Sequence, residues 1–120
     1  MSPHKTERQQ HYRLSWTASA RNDVVALAAE QGADIAGAAL IAATDVEYGR
    51  RRGKALGDRN VTGNLNGLFR VKFDLAGHRP ERFRLVYRHV GAELVEIVVV
   101  GERDEHAVYR DALARLIDND

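Results

Sequence analysis

The strongest constraint on this fold is a change of hydrophobic period after Leu68. From Leu68 to Leu75 the chain alternates. Phe69, Val71, Phe73 and Leu75 fall on one side, and Arg70, Lys72 and Asp74 on the other. Arg82 to His89 repeats the pattern, with Phe83, Leu85 and Tyr87 against Arg82, Arg84 and Arg88. A period of two belongs to β-strands with one face buried. Gly77 and Pro80 lie between the two segments, so a hairpin is the simplest link. Gly91 marks the next turn. Leu94 to Val100 is almost continuously aliphatic, which predicts a central strand covered on both faces.

The rest of the chain reads as helix around this sheet. Tyr12 to Trp16 alternates over a few residues and predicts a short strand, with Trp16 in core or sheet packing. Thr17 or Ser19 can cap a helix carrying Ala20, Val24, Leu27 and Ala28 at helical spacing, which Gly32 ends. Asp34 can cap a second helix with Ile35, Ala39, Ala42 and Val46 on one face, closed by Gly49. The short link between them predicts an antiparallel helical hairpin. Residues 50–67 read as a basic, glycine-dotted connector whose spacing matches neither a P-loop nor a dinucleotide motif. Tyr109, Ala112, Leu113 and Leu116 place an amphipathic helix over Ala107 to Ile117. The expected organisation is a flexible tail over residues 1–11 and one α+β domain over 12–120. That domain has an N-terminal strand, a helical hairpin, a three-stranded antiparallel meander and a C-terminal helix, with the helices on one face of the sheet.

Composition narrows the chemistry. The chain has no cysteine, which removes thiol nucleophiles, disulfides and cysteine-ligated zinc and suits a reducing cytosol. His4, His11 and His89 lack metal-ligand spacing. No apolar run approaches the length of a membrane span, and the polar start has no signal-peptide pattern, so a cytoplasmic protein is expected. Net charge is only +1, but its distribution is uneven. Residues 50–89 hold eleven Lys/Arg against three Asp/Glu, a local +8, whereas the remainder holds seven against fourteen, a net −7. A basic middle between acidic ends suits a phosphate-binding face, or simply a solvated surface.

A symmetric hairpin would pair Phe73 with Phe83 and set Lys72 directly opposite Arg84, with Arg70 on the same face. Opposed like charges destabilise a sheet. Either an anion offsets them, or the long side chains splay into water.

The segments Leu68-Phe69-Arg70-Val71-Lys72-Phe73, Arg84-Leu85-Val86-Tyr87, Val100-Gly101-Glu102-Arg103-Asp104 and Val108-Tyr109 resemble the RelE/ParE toxin superfamily, and RelE in particular. The resemblance covers roughly residues 61–117. It implies a type II toxin that cuts messenger RNA in the ribosomal A site, with Arg70, Lys72, Arg84, Arg103 and Tyr109 as the active site. The RNA 2′-hydroxyl would attack the adjacent phosphate, so neither metal nor other cofactor is implied. Lys72 would be the base, its pKa lowered by Arg70 and Arg84. Arg84 and Arg103 would stabilise the phosphorane, and Tyr109 would stack a splayed base. Arg51, Arg52, Arg82 and Arg88 join Arg70 and Lys72 as expected RNA contacts. The implied partners are the 70S ribosome with its mRNA and a cognate antitoxin, with no membrane. His106 lies between Arg103 and Tyr109 in sequence, either near the site or on the helix surface. His78 and Arg79 either touch substrate or are solvated. Glu102 and Glu105 either form a carboxylate site or are charges favoured at the start of the last helix. Two other functions fit the same fold, a ParE-type DNA gyrase inhibitor and an inactive antitoxin-binding module. The low net charge is the main support for the second.

Overall fold

In a computed structural model, described over residues 11–57, 65–103 and 107–118, the aliphatic run and both alternating segments become neighbours in one sheet. Its strands are β1 (Arg13–Trp16), β2 (Lys54–Gly57), β3 (Leu65–Phe73), β4 (Phe83–Val90) and β5 (Leu94–Glu102). The helices are α1 (Ala18–Gln31), α2 (Ala33–Glu47) and α3 (Ala107–Asp118). The spatial order is β1-β5-β4-β3-β2. β1 runs parallel to β5, and the other neighbours are antiparallel. The architecture is α+β, as expected.

Alternation along β4 divides the core. Phe83, Leu85 and Tyr87 pack with Val71, Phe73 and the apolar sides of α1 and α2. Val86 faces the other way, into a smaller cluster with Leu56, Leu68, Val108, Tyr109 and Ala112. The helices therefore cover both faces, which corrects the expectation of one. The continuous aliphatic run of β5 follows from this, because each face needs apolar side chains. A register shift adds to it. Val86 pairs with Val99 but Tyr87 with Ile97, so Val98 is extra. Val98 and Val99 both enter the cluster under α3, and Val100 returns to the other.

The helical hairpin forms as its sequence predicts. Thr17 Oγ1 accepts a hydrogen bond from Ala20 N–H at 3.0 Å and caps α1. Gly32 alone reverses the chain at φ +102°, a conformation that disfavours any side chain. Asp34 lies inside the first turn of α2, not at its cap, because Gly32 takes the cap position. Ile35, Ala39, Ala42 and Val46 are all buried, and the small alanines let α2 lie close to its neighbours.

Two further expectations need correction. Residues 50–67 are not only a connector: they contain β2 and the start of β3. Lys54-Ala55-Leu56-Gly57 has one large apolar residue, so no alternation could reveal it. As an edge strand it needs only Leu56 inward. Asp74 and Leu75 leave the strand for the turn, where the Asp74 carboxylate accepts from the N–H groups of Leu75 and Arg82.

Candidate functional site

The hairpin register is the symmetric one. Phe73 pairs with Phe83, and Lys72 with Arg84. Directly opposed residues share a face, with Cα atoms about 5 Å apart. Arg70 lies opposite Val86 on one side and Lys54 on the other. Lys54, Arg70, Lys72 and Arg84 thus share the sheet face that carries α3.

Arg84 is the one buried charged residue in the described core, 5% exposed. The arrival of α3 over this face explains why a residue on the polar side of β4 is buried. Its Nη1 donates to the carbonyls of Glu81 at 3.0 Å and Phe83 at 2.9 Å, and its guanidinium also hydrogen-bonds Tyr109. Burial pulls its pKa down, Tyr109 opposes this, and nearby Arg70 and Arg103 add to the lowering. An arginine keeps its proton through such changes, so the result is a fixed cation beneath the surface.

Lys72 is exposed, and its ammonium is pulled below its ordinary pKa by Arg70 first and Arg84 second. That direction and those causes are the ones expected from the opposed register. Glu81 acts the other way, and Lys54 adds slightly to the lowering. Arg70 Nε is buried with no hydrogen-bond partner. A buried donor in that condition is costly, and an anion settling here would supply acceptors. Arg103 is exposed at the end of β5. Its N–H donates to Arg82 O at 2.7 Å, which ties it beside the start of β4.

The other expected RNA contacts separate into two groups. Arg82 forms a two-pronged pair with the fully buried Asp74 carboxylate, both bonds 2.8 Å, and Arg88 pairs with Glu96 at 2.8 Å. Each of those two arginines is paired with a carboxylate while its side chain stays partly exposed. Arg51 is partly engaged. It bonds Asp45 at 3.2 Å and the Lys72 carbonyl at 3.1 Å. Arg52 is exposed. Arg51, Arg52, Lys54, Arg70 and Lys72 line an open depression of about 330 Å³, with Glu81 the one acid among the described residues of its wall. A second depression of about 480 Å³ reaches Arg103 but is walled by Asp23, Glu102 and Asp111, an acidic lining that suits no phosphate.

Tyr109 departs from the expected stacking role. Its ring is 7% exposed, inside the cluster under α3. As folded it presents a hydroxyl to Arg84 rather than a ring to solvent, because Val108 and Ala112 seat its helix on the sheet. His106, Glu105 and Asp104 lie outside the described residues, as do residues 1–10. His78 sits 3.9 Å from the Asp74 carboxylate, at the hairpin tip. Among the described residues no three His, Cys, Asp or Glu side chains converge as a metal site. Sequence reasoning missed Lys54 and Glu81. The edge strand hid the first, and the second stands in a turn with no motif around it.

No protein-family model matches this chain, and no curated protein matches it either. The site's chemistry must therefore be read from its own geometry. Several cations whose charge is not cancelled locally surround one exposed lysine of lowered pKa, with a buried arginine behind it.

Proposed function

We propose that this chain is a RelE-type toxin, a ribosome-dependent endoribonuclease that cuts mRNA in the A site. The observation that carries this reading is the directly opposed pair Lys72–Arg84, flanked by Arg70 and Arg103 and backed by Tyr109. The element order and the residues on β3, β4, β5 and α3 support it together. The RNA 2′-oxygen attacks phosphorus and gives its proton to the neutral Lys72 amine. Arg84 and Arg103 stabilise the charge that develops on the phosphorane oxygens. The bond to the 5′-oxygen breaks, and that oxygen takes a proton. The products are a 2′,3′-cyclic phosphate and a 5′-hydroxyl. The nucleophile belongs to the substrate, so the residues need only position it, move protons and offset charge.

The proposed partners are the ribosome with its mRNA and a cognate antitoxin whose acidic segment would cover the basic depression. No helix of the described residues is long and apolar enough to cross a membrane. A second reading, a catalytically inactive antitoxin-binding module, draws support from the burial of Arg84 and Tyr109.

Primer extension on an mRNA translated in a purified bacterial system separates these readings. Ribosome-dependent cuts inside codons, lost in Lys72→Ala and Arg84→Gln, support the nuclease. An intact message with the parental protein rules it out. Inhibition of supercoiling instead would identify a gyrase inhibitor.

A further inference from the structure

The cations of the basic middle differ in how they are held. Arg50 and Arg51 share Asp45, Arg82 has Asp74, and Arg88 has Glu96. Among the described residues no ion pair holds Arg52, Lys54, Arg70 or Lys72, and these four border one depression. Glu81 is the acid beside them in that lining, and like charges that outnumber their counter-charges repel one another and raise the free energy of the fold, a cost that a polyanion removes.

The strand that supplies Lys54 sits at the open edge of the sheet. Lys54 is opposite Arg70, and Lys72 is opposite Arg84. The basic side chains therefore form a band across β4, β3 and β2 instead of a line along one strand. Two interstrand spacings make that band ~10 Å long. At a rise of about 3.4 Å per stacked nucleotide, it matches on the order of three nucleotides. Gly53 keeps the band in place at the start of β2, where its N–H donates to Tyr87 Oη at 2.8 Å.

We propose that β2 extends the site, with Lys54 and Arg52 binding backbone phosphates of the single RNA strand next to the cleavage point, so that this strand crosses β4, β3 and β2. The inference rests on the nuclease reading and adds a direction and two positioning residues to it. Lys54 and Arg52 hold the strand and move no proton. Their contribution is sequence-independent, because phosphate contacts position and do not read bases.

Fluorescence anisotropy tests this with the full chain and a labelled single-stranded RNA of about ten nucleotides, within the range that single-strand sites cover. The RNA carries 2′-deoxy positions so that it cannot be cut, and salt is varied. Lys54→Gln is expected to weaken binding roughly fivefold and to flatten the slope of log affinity against log salt by about 0.7, the value for one lost phosphate contact on a single strand. Arg21→Gln, on the far side of the sheet, serves as the charge control and leaves the slope as it is. In single-turnover cleavage of programmed ribosomes, Lys54→Gln raises the half-saturating concentration more than it lowers the rate at saturation. Parental affinity and slope in Lys54→Gln, beside a weakened Lys72→Gln, would overturn the β2 path and leave the nuclease reading intact. A parental protein that neither binds RNA nor cuts translated mRNA would overturn both. Tighter binding of a duplex of the same sequence would overturn the single-strand assignment.

Discussion

The Tyr87 hydroxyl accepts a hydrogen bond from the Gly53 N–H at 2.8 Å, joining the middle of β4 to the start of the edge strand β2. Burial raises the pKa of that hydroxyl, and Tyr87 itself is 2% exposed. A Cβ at Gly53 would lie 2.7 Å from Tyr87 Cε1. Glycine is therefore required by contact with a ring, not by its own backbone angles. Gly53→Ala should destabilise the fold by about 1–3 kcal/mol through overpacking. Tyr87→Phe should cost a similar ~1–3 kcal/mol by leaving a buried N–H unpaired. Urea denaturation reads both. Amide exchange at residues 54–57 should accelerate in each variant more than exchange in β5.

Lys72 connects charge to rate. Its pKa lies below the ordinary 10.5, and Arg70 is the first cause. If the neutral amine takes the 2′-hydroxyl proton, single-turnover cleavage should rise with pH from neutrality and level off below 10.5. Arg70→Gln removes the first cause, so the plateau should move to higher pH. Lys72→Arg keeps the charge but removes the base, and should lower the rate by roughly 10²–10⁴-fold. A parental pH profile in Lys72→Arg would rule out this role.

Asp74 makes the hairpin tip sensitive to acid. Its carboxylate is held well below the ordinary value of 3.8, chiefly by the side-chain hydrogen bonds from Arg82. A depressed carboxylate pKa stabilises the fold above the unfolded value, and that contribution fades as pH falls through the folded one. Stability should therefore drop more steeply below pH 3.8 in the parent than in Asp74→Asn, which lacks the titrating group. Thermal melts across acid pH check this. Near neutral pH Asp74→Asn should be the less stable of the two.

Asp23 and Arg115 join helices that cover opposite faces. Arg115 donates to both Asp23 oxygens, at 2.7 and 2.9 Å, and to Val98 O at 2.8 Å, while Asp23 accepts from Val100 N–H. The pair thus covers the stretch of β5 that extends past β1. Asp23→Ala should cost about 1–3 kcal/mol, since it leaves the Val100 N–H without its acceptor and a partly buried guanidinium with Val98 O in place of a carboxylate. Asp23→Asn should recover part of this. A loss in Asp23→Ala no larger than that in an exposed control such as Asn22→Ala would contradict the role.

Alternation and capping act between near neighbours, so both are legible along the chain itself. Strand period placed Lys72 opposite Arg84 and Arg70 on the same face, because a hairpin whose ends lie close leaves little freedom of register. Thr17 and Gly32 marked the ends of α1 for the same local reason. What the sequence left open depends on residues far apart. The place of β1 beside β5, the inclusion of β2 and the division of the helices between two faces are set by which surfaces can be covered together. Burial of Arg84 follows from α3 crossing its face, and the same packing hides the Tyr109 ring. The pairing of charges was likewise undecided. Arg82, Arg88 and Lys72 look alike along their strands, yet Asp74 and Glu96 pair with the first two, and the charges that weigh most on Lys72 are the like ones of Arg70 and Arg84. Pattern along a chain reports which way a side chain points. Whether its charge is cancelled depends on what the rest of the chain brings near, because electrostatic energy depends on distance in space and not on separation in sequence.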